Sequence, residues 1–430
     1  MPKGRKKYSK YENYRTEQPA SSDEDAGIDM TNDNCSEISM QSDSRSNHEE
    51  GIESETEKFE DKVMEIIDSL SARAAQARAA ALVSLKNALQ RRCVGSLFAN
   101  QRATLADIIS RMIRRGREAE RKAAAAVAPI LALQIGEEGS EEFMSEVRPA
   151  LAAAAVDRSA AIDTRTECCS SLAVLCYLFE EDISEILEIM KMYETIFSGS
   201  YPKGDGSVKV SGAAVEEAAL HAGALDGWAL LLALLARPHA RALLHAAPPA
   251  VPRLAALLEA HGLEVRMAAG GALAIVHERI TDPEESTVAP YVEQVLPLLE
   301  QLARDSHKYR AKRDRKVQRA TFRDILKYFE EEEVPELSVR VGAEAVVCDT
   351  WGARAAYGAL AGALGGGLAA LAPRAPALRR ALQLPAAPPA PPPQRRHNKL
   401  QRHLQNSAAS KARTVARNKS RDKRSAALAI

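Results

Sequence analysis

Four stretches of this chain begin with arginine, pass through small residues and end in an apolar stripe. They are RAAALVSLKNAL from Arg78, RKAAAAVAPILAL from Arg121, RTECCSSLAVLCY from Arg165 and RMAAGGALAIVHE from Arg266. Successive starts lie 43, 44 and 101 residues apart. The last gap holds two units, and a less regular copy, VEEAALHAGALDGWALLLALL from Val215, fills it after a loop-like insertion, SYPKGDGSVKVSG. A period in the forties with two helices per unit is the pattern of armadillo and HEAT repeats. The physics agrees. One helix pair cannot bury its apolar face alone, whereas a stack can, and small residues let neighbouring pairs approach closely. The leading arginine is placed to reach an acid or a carbonyl in the next unit. The competing fold is an irregular helical bundle.

Composition supports helix over sheet. Aromatics are only 4% of the chain and alanine supplies much of the 46% apolar content. Alanine and leucine favour helices, while strands want β-branched and aromatic residues. The first periodic segment is FEDKVMEIIDSL, with Phe59, Val63, Ile66, Ile67 and Leu70 at helical spacing. Residues 1–57 ahead of it are first basic, then acidic and Ser-rich, with few apolar groups to offset the entropy of ordering, so they read as a disordered leader. The expected fold is all-α: an armadillo/HEAT-like helical-repeat solenoid over residues 58–332, between that leader and a basic C-terminal helix.

The solenoid is expected to end in a basic amphipathic helix, RDSHKYRAKRDRKVQRATFRDILKYFEEEE. At 100° per residue, Lys308, Lys312, Arg315, Lys316, Arg319 and Arg323 share one stripe, and Phe322, Ile325 and Phe329 lie opposite with Val317 at the edge. Residues 333–384 form a smaller region of weak pattern, in which VRVGAEAVVCDTW reads as strand or helix. Within it, eighteen uncharged residues from Ala355 to Ala372 approach membrane-spanning length, but five are glycine and most others alanine, so no membrane span is expected. Residues 385–394 carry six prolines, and Pro385–Pro393 make a stiff spacer about 28 Å long at 3.1 Å per residue.

The tail, residues 395–430, holds the largest charge asymmetry of a chain whose formal net charge is zero. From Arg395 to Arg424 there are eleven cations (Arg395, Arg396, Lys399, Arg402, Lys411, Arg413, Arg417, Lys419, Arg421, Lys423, Arg424) and one acid, Asp422. Residues 396–424 lack proline and glycine and suit one helix about 43 Å long. Its only sizeable apolar residues are Leu400, Leu404 and Val415, too thin a stripe for a core or a membrane surface. Small residues such as Ala408, Ala412 and Ala416 would let its backbone approach a surface while arginines reach phosphates and exposed bases. The chemistry is that of a ligand for RNA or DNA. A nuclear-localisation patch or a solvated charge run accounts for the same charges.

Nothing indicates catalysis. The chain has no G-x-x-x-x-G-K-[ST], H-E-x-x-H or G-x-S-x-G motif. Its six cysteines include no C-x-x-C pair, and Cys168 and Cys169 diverge on a helix, which suits a reducing, intracellular setting without a metal. His221, His239, His245, His261 and His277 are scattered through the repeats as surface or core residues. The expectation is a non-enzymatic protein with no cofactor and no metal.

The segments HKYRAKRDRKVQRATFRDILKYFEE and HLQNSAASKARTVARNKSRDKR resemble the interferon-related developmental regulator family, as do MPKGRKK and the acidic Ser-rich leader. Residues 334–394 depart from that family's more polar, aromatic-rich segment, although Trp351 and its neighbours are similar. The resemblance implies an armadillo-type domain with a conserved C-terminal tail. It also implies one of two activities. One is ribosome binding, with the C-terminal helix in an RNA-lined site holding translation inactive and Lys399 through Arg424 as the plug. The other is transcriptional co-regulation with histone deacetylase complexes, in which the concave solenoid surface binds proteins. Expected partners are therefore ribosomal RNA or proteins, not membranes, in the cytoplasm and, for the second activity, the nucleus. The oligomeric state is left open.

Overall fold

A computed structural model describes residues 48–201, 216–246, 251–281, 290–304, 312–342 and 344–386. The leader ahead of residue 48, the Pro-rich spacer from residue 387 and the basic tail lie outside the described residues.

Among the described residues, six helix pairs follow one another. They are α1 (His48–Ser69) with α2 (Ala75–Leu89), α3 (Arg102–Arg115) with α4 (Glu118–Ile135), and α5 (Glu137–Val156) with α6 (Ile162–Phe179). Next come α7 (Ile183–Phe197) with α8 (Ala218–Leu234), the short α9 (Arg237–Ala246) and α10 (Val251–Ala256) with α11 (Leu263–Ile280), and α12 (Pro290–Arg304) with α13 (Lys312–Glu331). The second helices form one layer, α2 on α4, α4 on α6, α6 on α8, α8 on α11 and α11 on α13, while α3, α5 and α7 stack in the other. This is the helical-repeat solenoid the periodicity predicts.

The two layers differ in sequence for a physical reason. First-layer helices have one wet face. In α3, Leu105, Ala106, Ile109, Met112 and Ile113 are buried and Arg111, Arg114 and Arg115 are exposed opposite them. Second-layer helices pack on both sides and their own partner. In α6, Cys168, Cys169, Leu172, Ala173, Val174, Leu175 and Cys176 are all buried, so apolar residues run around the helix rather than along one stripe. Burial pushes the thiols of Cys168 and Cys169 up to about 12 and that of Cys176 higher still, so these cysteines act as small apolar residues.

The leading arginines do what their register suggests. Arg78 pairs with Glu120 of the next unit and Arg121 with Asp157 in the turn between the two helices, α5 and α6, of the unit after (2.9 Å). The carbonyls they take, however, belong to their own unit: Arg78 donates to Ala72 O, Arg121 to Ile113 O, Arg165 to Ala155 O and Arg266 to Ala260 O. Each arginine thus ties the turn within a pair, and three of the four also clamp the neighbouring unit.

The weakly patterned region is folded. Leu337–Val341 (β1) and Glu344–Cys348 (β2) form an antiparallel hairpin turning at Gly342, whose φ of 64° suits glycine. Three helices follow, α14 (Trp351–Leu364), α15 (Gly367–Leu371) and α16 (Pro376–Ala381). The Ala/Gly-rich α14 runs across the second layer, over α11, α8, α6 and α4. Glu278 of α11 accepts the Trp351 and Gly352 N–H groups at its start (2.7 and 3.2 Å), and Gln90 beyond α2 donates to Leu364 O at its end (3.0 Å). A carboxylate at a helix N-terminus also opposes the helix dipole favourably. Among the described residues no helix is long and apolar enough to cross a membrane.

Candidate nucleic-acid interface

The basic helix predicted to follow the repeats is α13, and it is a full member of the second layer. Phe322 and Ile325 are completely buried, each worth about 1.5–3 kcal/mol of transfer energy, and Phe329 is buried as well. A Cβ on Gly270 of α11 would sit 2.8 Å from Ile325 and Phe322, so α11 and α13 meet where α11 lacks a side chain. Phe329 also stacks on His277, with ring centroids 4.5 Å apart. Burial lowers the His277 imidazole below its usual range, and its Nδ1 lies 2.8 Å from Tyr291 Oη, so this histidine is a core residue.

That packing narrows the basic ridge. Lys316 and Arg323 are exposed, as is Arg313 beside them, but Arg315 and Arg319 are half-buried and Arg319 donates to Arg315 O at 3.3 Å. The structure thereby makes Arg319 the leading arginine of the sixth pair. Gln318 stands where Glu120 stands before Arg121, and it is buried. Val317, expected at the edge, is 47% exposed. Lys312 opens the helix, Lys308 lies outside the described residues, and so do Arg395, Arg396 and every other predicted tail cation. Asp314 and Asp324 are exposed on the same helix, and Lys327 pairs with Glu333 (2.5 Å), so α13 offers a short cationic strip rather than a wide field.

A second strip was not singled out from sequence. Arg111, Arg114, Arg115 and Arg117 are exposed around the C-terminal end of α3. Arg111 faces Asp107 at 3.7 Å, a pair too exposed to neutralise the patch. Its signal was present in RMIRRGRE: cations at i, i+3 and i+4 opposite a strongly apolar face. Their charge is of the kind that contacts phosphates, which carry no sequence information, rather than base edges.

The start of the predicted spacer is fixed to the body. Arg379 of α16, 3% exposed, holds Glu344 of β2 through two bonds of 2.7 and 2.8 Å and donates through Nε to Pro385 O at 2.7 Å. These bonds hold the Glu344 carboxyl below its usual range. Arg380 pairs with Glu137 at the head of α5. The first residue of the Pro-rich run, Pro385, is therefore tied to the helices and hairpin before it. Among the described residues no three His, Cys, Asp or Glu side chains converge as metal ligands would.

Comparison with known proteins adds to this geometry. The family model for interferon-related developmental regulators matches residues 34–330, and that for the interferon-related protein conserved region matches residues 376–425. Interferon-related developmental regulator 1 of Sus scrofa is 34% identical over 360 residues, 83% of this chain and 78% of the relative. The Homo sapiens protein of the same name is 33% identical over 358 residues, with the same two coverages. Interferon-related developmental regulator 2 of Mus musculus is 34% identical over 320 residues, 74% of this chain and 71% of the relative. None of these names carries an enzymatic activity. The conserved-region match begins at α16, the helix that anchors the spacer, and takes in all but the last residues of the basic tail.

Proposed function

The chain belongs to the interferon-related developmental regulator family, and from that premise we propose that it is a non-enzymatic regulator that binds ribosomes through its basic C-terminal segment and holds them translationally inactive. The observation that carries the reading is the tail: eleven cations against one acid between Arg395 and Arg424, inside the conserved-region match and beyond a polyproline spacer. A segment polar on every face has little reason to pack on its own protein and good reason to lie along a polyanion. The folded body supplies a rigid mount. Arg379 holds the first residue of the spacer, Pro385, and the strips on α13 and α3 add further cations for RNA backbone.

The reading as a transcriptional adaptor is less well supported. That role would use the free face of the second layer as a protein-binding groove, and α14 already lies there, capped at both ends by Glu278 and Gln90. The test is sedimentation through a sucrose gradient at moderate salt. The full chain is expected to migrate with ribosomes, and a chain ending at residue 394 is expected to stay at the top. Unchanged co-migration without the tail would overturn the insertion reading. A full chain that ignores ribosomes at low salt would overturn the function.

A further inference from the structure

Between α14 and the second layer lies a cavity of about 590 Å³ whose floor is α6, α8 and α11 and whose roof is α14. Its volume falls in the range of about 300–1,000 Å³ typical of sites that hold small organic ligands. It exists because side chains are missing. A Cβ built on Gly271 in the floor, or on Gly358 or Gly362 in the roof, would meet nothing within 4 Å. Protein interiors close-pack, so a hollow of this size beside a well-formed helix layer is a gap the packing leaves open.

The polar content of the lining is one-sided. Two carboxylates, Glu167 of α6 and Asp226 of α8, border the space. Neither makes a hydrogen bond or ion pair with a described residue. The one cation of the lining, Arg354, is otherwise engaged: its Nη1 donates to Pro335 O at 2.7 Å and its guanidinium lies over the Trp351 ring, 5.6 Å from the centroid. The rest of the lining is mostly alanine, glycine and aliphatic side chains such as Val174, Leu230 and Ile275. Asp226 is exposed at the mouth of the cavity, and the protein around it still pushes its carboxyl up to about 6 by desolvation. It is still mainly ionised at neutral pH, and a cation beside it would relieve the cost of that charge.

We propose that this cavity binds a small organic cation, a protonated amine on an apolar body, with the amine at Asp226 and Glu167 and the body against the Gly/Ala walls. A carboxylate at the edge of an apolar cavity makes a charge-assisted hydrogen bond to an ammonium group and rejects an anion of the same shape. The inference is independent of RNA binding and uses none of the residues assigned to it.

The test is isothermal titration of the full chain with three probes of similar size: tryptamine, the neutral 3-ethylindole and the anionic indole-3-propionate. Tryptamine is expected to bind at least tenfold more tightly than the other two. Asp226→Asn is expected to weaken it at least tenfold, and so is Gly358→Leu, which fills the roof. Circular dichroism reports whether each variant folds; Gly362→Leu replaces Gly358→Leu if that chain does not. Failure of tryptamine to bind, equal binding of the three probes, or tryptamine binding indifferent to both Asp226→Asn and the leucine variant would each overturn the proposal.

Discussion

Gln318 of α13 accepts a hydrogen bond from Arg266 of α11, Nη2 to Oε1 at 3.1 Å, and both residues are more than nine-tenths buried. The same guanidinium donates through Nη1 to the carbonyls of Ala260 and His261 at 2.7 and 2.9 Å. One arginine thus closes the turn of its own unit and clamps the last pair to the stack, and the clamp makes α13 a repeat helix rather than an appendage.

Replacing Gln318 with leucine therefore removes an acceptor from a buried cation while keeping the volume. Leaving a buried donor unsatisfied costs about 1–3 kcal/mol. The Gln318→Leu chain should lose that much in urea unfolding, and hydrogen exchange should rise first in α13. A variant as stable as the native chain would show that the clamp contributes nothing.

The exposed strip on α13 separates charge from folding. Lys316→Glu with Arg323→Glu touches two exposed residues, so stability should change by no more than about 0.5 kcal/mol per site. RNA affinity should fall, and the log–log salt slope should shrink by about 0.7–0.9 for each phosphate that is no longer neutralised. Arg319→Glu should behave differently and destabilise the fold, because Arg319 is half-buried against the stack. Titration of ribosomal RNA across a salt series, beside urea unfolding, distinguishes the two effects. An unchanged slope in the double variant would remove α13 from the interface.

Glu194 sets a pH dependence. Its carboxyl is desolvated beside Trp228, and burial pushes it up to about 7 from an ordinary 4.5, against the opposing hydrogen bond from Trp228 Nε1 at 3.1 Å. Between those two values the folded chain holds a proton that the unfolded chain has lost. Stability therefore falls as pH rises from about 4.5 to about 7, and the loss is complete above that. Partial solvent contact limits the effect to about 1–2 kcal/mol. Glu194→Gln keeps an acceptor for Trp228 and should flatten this stretch of the curve, leaving the variant the more stable at pH 8. The chain has two tryptophans, so in a Trp351→Phe background Trp228 emission should titrate near pH 7. No titration there would contradict the assignment.

The repeats were legible because their signal is local and recurs: an arginine, small residues, then leucine or valine, at a fixed period. The sixth unit escaped because ATFRDIL after Arg319 has bulky residues where the others have alanine and glycine. It fits because Gly270 opens a notch opposite Phe322 and Ile325. The hairpin was half legible, since β1 and β2 alternate buried and exposed residues over only five positions each. The position of α14 was not legible at all. Its buried Trp351, Ala356, Leu360 and Leu364 make a shallow stripe, and what fixes it is Glu278 and Gln90, both far away in sequence. The cavity was equally hidden, because it is defined by side chains that two distant segments both lack.

The adjacent glycines of RMAAGGALAIV give the sharpest test of how α11 meets α13. Both sit inside one helix, so an alanine at either position gains the same helix propensity, about 0.8–1 kcal/mol. Their surroundings differ. A Cβ on Gly271 meets nothing within 4 Å, whereas a Cβ on Gly270 would lie 2.8 Å from both Ile325 Cδ1 and the Phe322 ring. Overpacking a filled interface costs about 1–3 kcal/mol. The propensity gain is common to both variants, so the difference between them isolates the packing between the helices. Gly271→Ala should raise the urea midpoint, and Gly270→Ala should fall below it by about 1–3 kcal/mol. Shortening Phe322 to leucine should recover part of that deficit in the Gly270→Ala background, since the ring is one of the two groups in the way. Equal midpoints for the two single variants would mean that α13 does not pack at this notch, and the sixth pair would then have no claim to belong to the stack.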